Sequence, residues 1–188
     1  MRLFYCFELP PDVQAELDRI AQPLRTIEAR VTWVRRENFH VTLKFLGEVE
    51  STDADPLKAL GAQIAPLFPK FELAFDTVGA FPNSQRPRVL WIGSRQAPPV
   101  VFEFHQGLER ELTKMGFEAD RRFAPHVTVG RVKEEHTARL AQFASIMSQI
   151  KSFECRALIT GLTLMESTLS PGGAIYTPVG LWGFGGEV

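Results

Sequence analysis

Four side chains in this 188-residue chain stand in a repeated pattern that suits acid-base chemistry. His40 and Thr42 lie in the stretch NFHVTLKFLG, and His126 and Thr128 lie in APHVTVGRVK. On an extended strand, residues i and i+2 project from the same face, so each histidine shares a face with its threonine. Val41 and Leu43 turn to the other face, as do Val127 and Val129. That second face is wholly apolar and should lie under helices. The first presents an imidazole beside a hydroxyl, a pair that is costly to bury unless both find partners. One such tripeptide is ordinary packing. Two copies with matching apolar alternation are hard to explain that way, and they point to one site with each strand supplying half.

Two imidazoles facing one cleft suit phosphoester chemistry. The unperturbed histidine pKa, near 6.5, lets one ring be neutral while the other is protonated. The neutral ring takes a proton from the nucleophile and the protonated ring gives one to the leaving oxygen, work worth on the order of 10²–10⁴-fold per group. Each threonine hydroxyl can donate to a non-bridging phosphate oxygen, where charge accumulates. Neither metal nor cofactor is expected: the histidines have no His-x-His spacing and no carboxylate joining them, so the ligand pattern of a zinc site is missing. Lys44 shares the strand parity of His40 and Thr42 and could add positive potential, though a solvated strand-end lysine explains it equally well. Arg131 lies five positions after His126, an odd offset that turns it away on a regular strand unless Gly130 marks a bulge that re-aims it.

The elements that must position these residues follow from periodicity. RLFYCFEL reads as a buried strand. A helix follows, with Val13, Leu17, Ile20 and Leu24 on one face, Asp12 near its start and Pro23 near its end. RVTWVRR and HVTLKFLGEV are strands. A second helix carries Leu57, Leu60, Ile64 and Leu67, with Pro56 in its first turn. KFELAFDTVGAFP and RPRVLWIGSR read as two strands joined by a Gly/Pro/Asn-rich connection. A third helix, Pro98 to Met115, aligns Val101, Phe104, Leu108, Leu112 and Met115. FAPHVTVGRVK is a strand, and a fourth helix aligns Leu140, Phe143 and Met147. SFECRALITGLTLMES and AIYTPVGLWGF close the chain as strands. Short turns between neighbouring strands imply antiparallel pairing, so the expected class is α+β. One motif falls in each half, which implies two similar lobes facing each other within a single domain spanning 1–188.

Composition narrows the function classes. The chain is 45% hydrophobic and 23% charged, as expected of a soluble globular protein. A net charge of −1 excludes a globally basic nucleic-acid binder, so any polyanion must meet a local cluster. No apolar run approaches the roughly 20 residues that span a bilayer, and nothing resembles a signal peptide. Cys6 and Cys155 sit in separate apolar runs and read as buried thiols in a reducing cytoplasm. No oligomer signal is visible, so a monomer is expected.

HVTLKFLG and PHVTVGR resemble the paired His-x-Thr motifs of the two-histidine phosphoesterase superfamily, and within it the RNA 2′,3′-cyclic phosphodiesterases historically called 2′-5′ RNA ligases. RLFYCFELP, ENFHVTLKFLGEV, PRVLWIG, FAPHVTVGR and YTPVGLW match that pattern in order along nearly the whole chain. The resemblance implies a bilobal α+β fold around a central cleft and metal-independent hydrolysis of a terminal ribose 2′,3′-cyclic phosphate to a 2′-phosphate. It implies RNA or oligonucleotide 3′ ends and nucleotides as partners. Carried over by position, His126 would activate water, His40 would protonate the departing 3′ oxygen, and Thr42 and Thr128 would hold the phosphate, while ligation would exchange the two histidine roles. Arg131 matches a family arginine, with phosphate or nucleotide contact as its implied role. Two other readings stand beside this one. The same chemistry could act on a small cyclic phosphate, such as ADP-ribose cyclic phosphate, or on 2′-5′ linkages. Alternatively, the cleft could bind RNA or nucleotides without turnover.

A terminal nucleotide would need a stacking platform. Phe45, Phe81, Phe123 and Tyr176 are candidates, although the chain has 15 phenylalanines, most expected in the core, and Phe45 has the parity of Leu43. Arg86, Arg88, Arg121 and Arg122 could attract phosphates or simply be solvated. His105 and His136 read as structural or surface histidines, and Trp33, Trp91 and Trp182 as core or interface aromatics. Ser170–Gly173 resembles a hairpin turn at the cleft edge rather than a phosphate-binding loop.

Overall fold

A computed structural model describes residues 1–120, 122–170 and 173–186. Among the described residues, ten strands and four α-helices make an α+β fold, in agreement with the expected class. The strands are β1 (Arg2–Glu8), β2 (Val31–Trp33), β3 (His40–Glu48), β4 (Phe71–Phe75), β5 (Thr77–Phe81), β6 (Val89–Gly93), β7 (His126–Val132), β8 (Cys155–Ile159), β9 (Gly161–Ser170) and β10 (Gly173–Gly183). The helices are α1 (Pro11–Arg25), α2 (Ala54–Ile64), α3 (Pro99–Lys114) and α4 (Thr137–Gln149). The main sheet is antiparallel and runs β10-β9-β1-β3-β7-β6-β5, with β2 added beside β7, and β4 pairs with β8 in a separate ribbon.

The helices bury the stripes that their 3.6-residue period assigns: Val13, Leu17, Ile20 and Leu24 on α1, and Val101, Phe104, Leu108 and Leu112 on α3. Met115 departs from this pattern; it is the C-cap of α3 and half-exposed. Leu3, Tyr5, Phe7, Val41, Leu90, Ile92, Val127, Leu162 and Leu164 form the apolar face of the main sheet, and all are fully buried or within 1% of it. The Tyr5 hydroxyl donates to Leu57 O at 2.5 Å, so the polar tip of this core side chain is satisfied against α2. Cys6 and Cys155 are free and buried. No described helix is long and apolar enough to cross a membrane.

Two runs that read as single strands are each broken into two that serve different sheets. KFELAFDTVGAFP divides at Asp76 into β4 and β5, and SFECRALITGLTLMES divides at Thr160 into β8 and β9. Asp76 turns the chain by donating its backbone N–H to Gly93 O at 3.0 Å while its carboxylate accepts from Arg95 N at 2.9 Å. Both breaks carry the chain from the ribbon into the main sheet, β4 leading to β5 and β8 to β9.

The two halves of the main sheet meet at a single residue pair in the ladder, Val41 with Val127. Both valines are fully buried. In antiparallel register this pairing sets His40 opposite Thr128 and Thr42 opposite His126 on the other face. The two histidines are then diagonal neighbours, a relation that spans roughly 7 Å. The two lobes therefore join at the point where both motifs open onto the same cleft.

Candidate active site

β3 and β7 show the same burial sequence from their histidines onward: half-buried, buried, half-buried, two consecutive buried residues, then exposed, then buried. The two adjacent buried residues mark a β-bulge in each strand. On β3, Cys6 pairs with Thr42 and Tyr5 with Lys44, which leaves Leu43 out of register. On β7, Trp91 pairs with Thr128 and Leu90 with Gly130, which leaves Val129 out of register. An extra residue reverses strand parity beyond it. The fifth residue after each histidine thus returns to the cleft face: Phe45 in one lobe and Arg131 in the other.

This corrects two expectations. Phe45, given core parity, is 57% exposed and lines the cleft with His40, Thr42, Thr128, Arg131 and Tyr176. Lys44, given cleft parity, is 4% exposed and points behind the sheet, where its Nζ lies 3.0 Å from Glu109 Oε1 and 3.1 Å from Asp120 Oδ1 and donates to Glu118 O at 2.5 Å. It adds nothing directly to the cleft. Gly130 takes the equivalent place on β7, and a Cβ there would come within 2.8 Å of the Trp33 ring. The glycine is required by that indole, which covers β7 where Lys44 covers β3.

Both imidazoles are fixed by the same device. His40 Nδ1 lies 2.8 Å from Asn38 O, and His126 Nδ1 lies 2.7 Å from Ala124 O. A carbonyl only accepts, so each Nδ1 carries a hydrogen and, in the neutral ring, the Nε2 lone pair remains for chemistry. His40 Nε2 is 3.0 Å from Thr42 Oγ1, which donates to it. Aromatic rings wall each histidine. Phe4 stacks on His40 at 4.9 Å and Tyr176 meets it edge-on at 5.3 Å, while Phe81 meets His126 edge-on at 5.1 Å with Trp91 at 6.2 Å. Gly79 lets Trp91 lie in place, since a Cβ there would stand 2.2 Å from the indole.

These surroundings disfavour the charged rings. Burial, with the Arg131 and His126 charges adding to it, pulls the His40 pKa down to about 4, against the opposing effect of the Asn38 carbonyl. His126 is lowered by burial first and by Arg131 as well, against the Ala124 carbonyl. The rings lie close enough to feel one another, and Arg131 acts on both.

The remaining candidates divide. Phe81 and Tyr176 border the histidines. Phe123 instead stacks flat on the buried His105, with centroids 3.9 Å apart. Arg88 donates to Glu134 O at 3.3 Å, beyond the far end of β7. Arg122 is exposed on the loop before β7, and His136 is exposed at the start of α4. Arg121, Pro171 and Gly172 lie outside the described residues. His105, Glu109 and Asp120 bring ligand atoms within 4.8 Å of one another, but the Lys44 ammonium already stands among the carboxylates.

The family model for LigT-like phosphoesterases matches the chain twice, over residues 7–91 and 92–176, so each match contains one His-x-Thr strand. A protein of Methanothermobacter thermautotrophicus named RNA 2′,3′-cyclic phosphodiesterase is 30% identical over 94% of this chain and 95% of its own. Among solved structures, a Thermus thermophilus protein is similar with a TM-score of 0.82 at 28% identity, covering 99% of both chains. Escherichia coli LigT complexed with 3′-AMP is similar with a TM-score of 0.77 at 29% identity, covering 97% of both.

Proposed function

This chain belongs to the LigT-like phosphoesterase family, and from that premise we propose that it hydrolyses RNA or oligonucleotide 2′,3′-cyclic phosphate ends to 2′-phosphates by paired-histidine acid-base catalysis. One observation carries the reading: the Val41–Val127 pairing holds two imidazoles of equal tautomer, each beside a threonine, on the two sides of one cleft. Water attacks phosphorus as His126 Nε2 takes its proton. The phosphorus–O3′ bond breaks and O3′ receives the proton of His40. Thr42, Thr128 and Arg131 hold the non-bridging oxygens, where charge gathers. The 3′-AMP complex of the E. coli relative supports a nucleotide as the occupant.

In the free protein His40 is neutral near pH 7, with Thr42 donating to its Nε2. Its role as acid therefore depends on the substrate anion, whose charge is screened least at the more buried ring and draws a proton there. The active form of the free enzyme carries one proton on the pair. Both pKa values are depressed, so kcat/KM should follow a bell whose maximum lies below pH 6.5. Binding an anion raises both values, so the kcat profile should lie at higher pH. The test is turnover of 2′,3′-cyclic AMP and of a cyclic-phosphate-ended oligonucleotide in EDTA across pH. Binding without turnover would favour a non-catalytic nucleotide module, and a monotonic profile would sink the two-imidazole mechanism.

Phe45 and Tyr176 form the stacking surface of this reading, on the His40 side of the cleft. Base–aromatic stacking is worth about 1–3 kcal/mol. With Tyr176 sharing the surface, Phe45→Ala should raise KM for the oligonucleotide about five- to tenfold and leave kcat nearly unchanged. An unaltered KM would remove Phe45 from the binding surface.

A further inference from the structure

The buried cluster behind β3 has no part in the chemistry above, yet it connects the two motif strands. Lys44 stands two residues after Thr42 on β3. Its Nζ donates to Glu118 O at 2.5 Å and pairs with Asp120 Oδ1 at 3.1 Å, both on the loop that leads from α3 into β7. Glu109 on α3 pairs with Lys44 at 3.0 Å and also accepts the backbone N–H of Asp120 at 2.8 Å. His105, one turn earlier on α3 and buried, lies flat against Phe123. The next residue, Ala124, supplies the carbonyl that sets the His126 tautomer.

We propose that Lys44 is a positioning residue for His126, tying the motif strand of the first lobe to the loop whose Ala124 carbonyl orients the second lobe's histidine. The proposal rests on the proposed function for its kinetic part only. Packing alone does not require an ion pair here, because burying one costs about as much as it returns and uncharged residues at both positions fill the same space. A cation between two carboxylates and a carbonyl does fix the loop backbone at Glu118 and Asp120, between the places where Phe117 and Phe123 pack on the core. His40 has its own separate tie: Gln14 Nε2 donates to Phe39 O at 3.1 Å and Asn38 Nδ2 donates to Ala174 O at 3.0 Å. Loosening Lys44 should therefore disturb one histidine and spare the other.

The test compares wild type, Lys44→Met and the double variant Lys44→Met/Glu109→Gln. The double variant removes both buried charges and leaves Asp120, which is half-exposed, to solvent. It should recover most of the thermal stability lost in the single variant. Both variants should lose about tenfold in kcat on 2′,3′-cyclic AMP with KM within about twofold of wild type, since small misplacement of a reacting group is costly. The ¹⁵N ring shifts should show His126 sampling the Nε2-protonated tautomer while His40 keeps the Nδ1–H form. A double variant with wild-type kcat and an unchanged His126 spectrum would overturn the proposal, as would equal disturbance of both histidines. If wild type itself fails to turn over, the proposed function falls, and the His126 spectrum still decides the tie.

Discussion

Replacing His40 or His126 by alanine is expected to lower kcat on 2′,3′-cyclic AMP by at least about 10²-fold, because in the proposed mechanism each ring moves a proton that water must otherwise carry. The double replacement should be little worse than either single one. A remaining base without its acid, or an acid without its base, still leaves one difficult proton transfer to solvent, so the pair acts as a unit. Stability should respond differently. His126 makes one backbone hydrogen bond and meets Phe81 only edge-on, with Trp91 farther off, so its loss should lower the melting temperature only slightly. His40 packs between Phe4 and Tyr176, so its removal also sacrifices some contact area. Circular dichroism and thermal melts separate that packing cost from the catalytic one. A loss below tenfold in either single variant, with folding intact, would mean that the ring concerned takes no part in proton transfer.

The helices and the two motif faces were legible because each depends on a local period. Val41 and Val127 lie inward, and His40, Thr42, His126 and Thr128 outward, as alternation requires. The matched bulges were the missing piece. Their signal is present in the chain: apolar core positions fall at 41, 43 and 46, and again at 127, 129 and 132. The step from two residues to three occurs at the same place after each histidine, which marks an extra residue in both strands. Gly130 pointed to one bulge; nothing comparable marks the other, because Lys44 looks like an ordinary surface residue. Its true surroundings depend on Glu109 from a helix and Asp120 from a loop, contacts distant in sequence that no periodicity encodes. The same holds for the strand breaks at Asp76 and Thr160: Asp76 and Gly161 are poor strand formers, but a single one inside a run does not say that sheet membership changes there.

Arg131 provides the second large expected effect and the sharpest test of the bulge. On a regular strand it would face away from His126; beyond the out-of-register Val129 it faces the cleft and lowers the pKa of both histidines. In the proposed mechanism Arg131→Gln removes a charge-assisted contact to phosphate, worth about 1.5–3 kcal/mol, so kcat/KM should fall by roughly 10- to 10²-fold. It also removes a positive charge that disfavours protonation of both rings. Their pKa values should rise, and both limbs of the kcat/KM bell should move to higher pH. Arg131→Lys keeps the charge but loses the planar fork, so it should weaken binding while leaving the profile where it is. Loss of affinity and shift of profile then come from one side chain by two separable routes. If Arg131→Gln lowers kcat/KM without moving the profile upward, the guanidinium does not share the cleft with the imidazoles. The parity reversal at Val129 would then have no electrostatic consequence for catalysis.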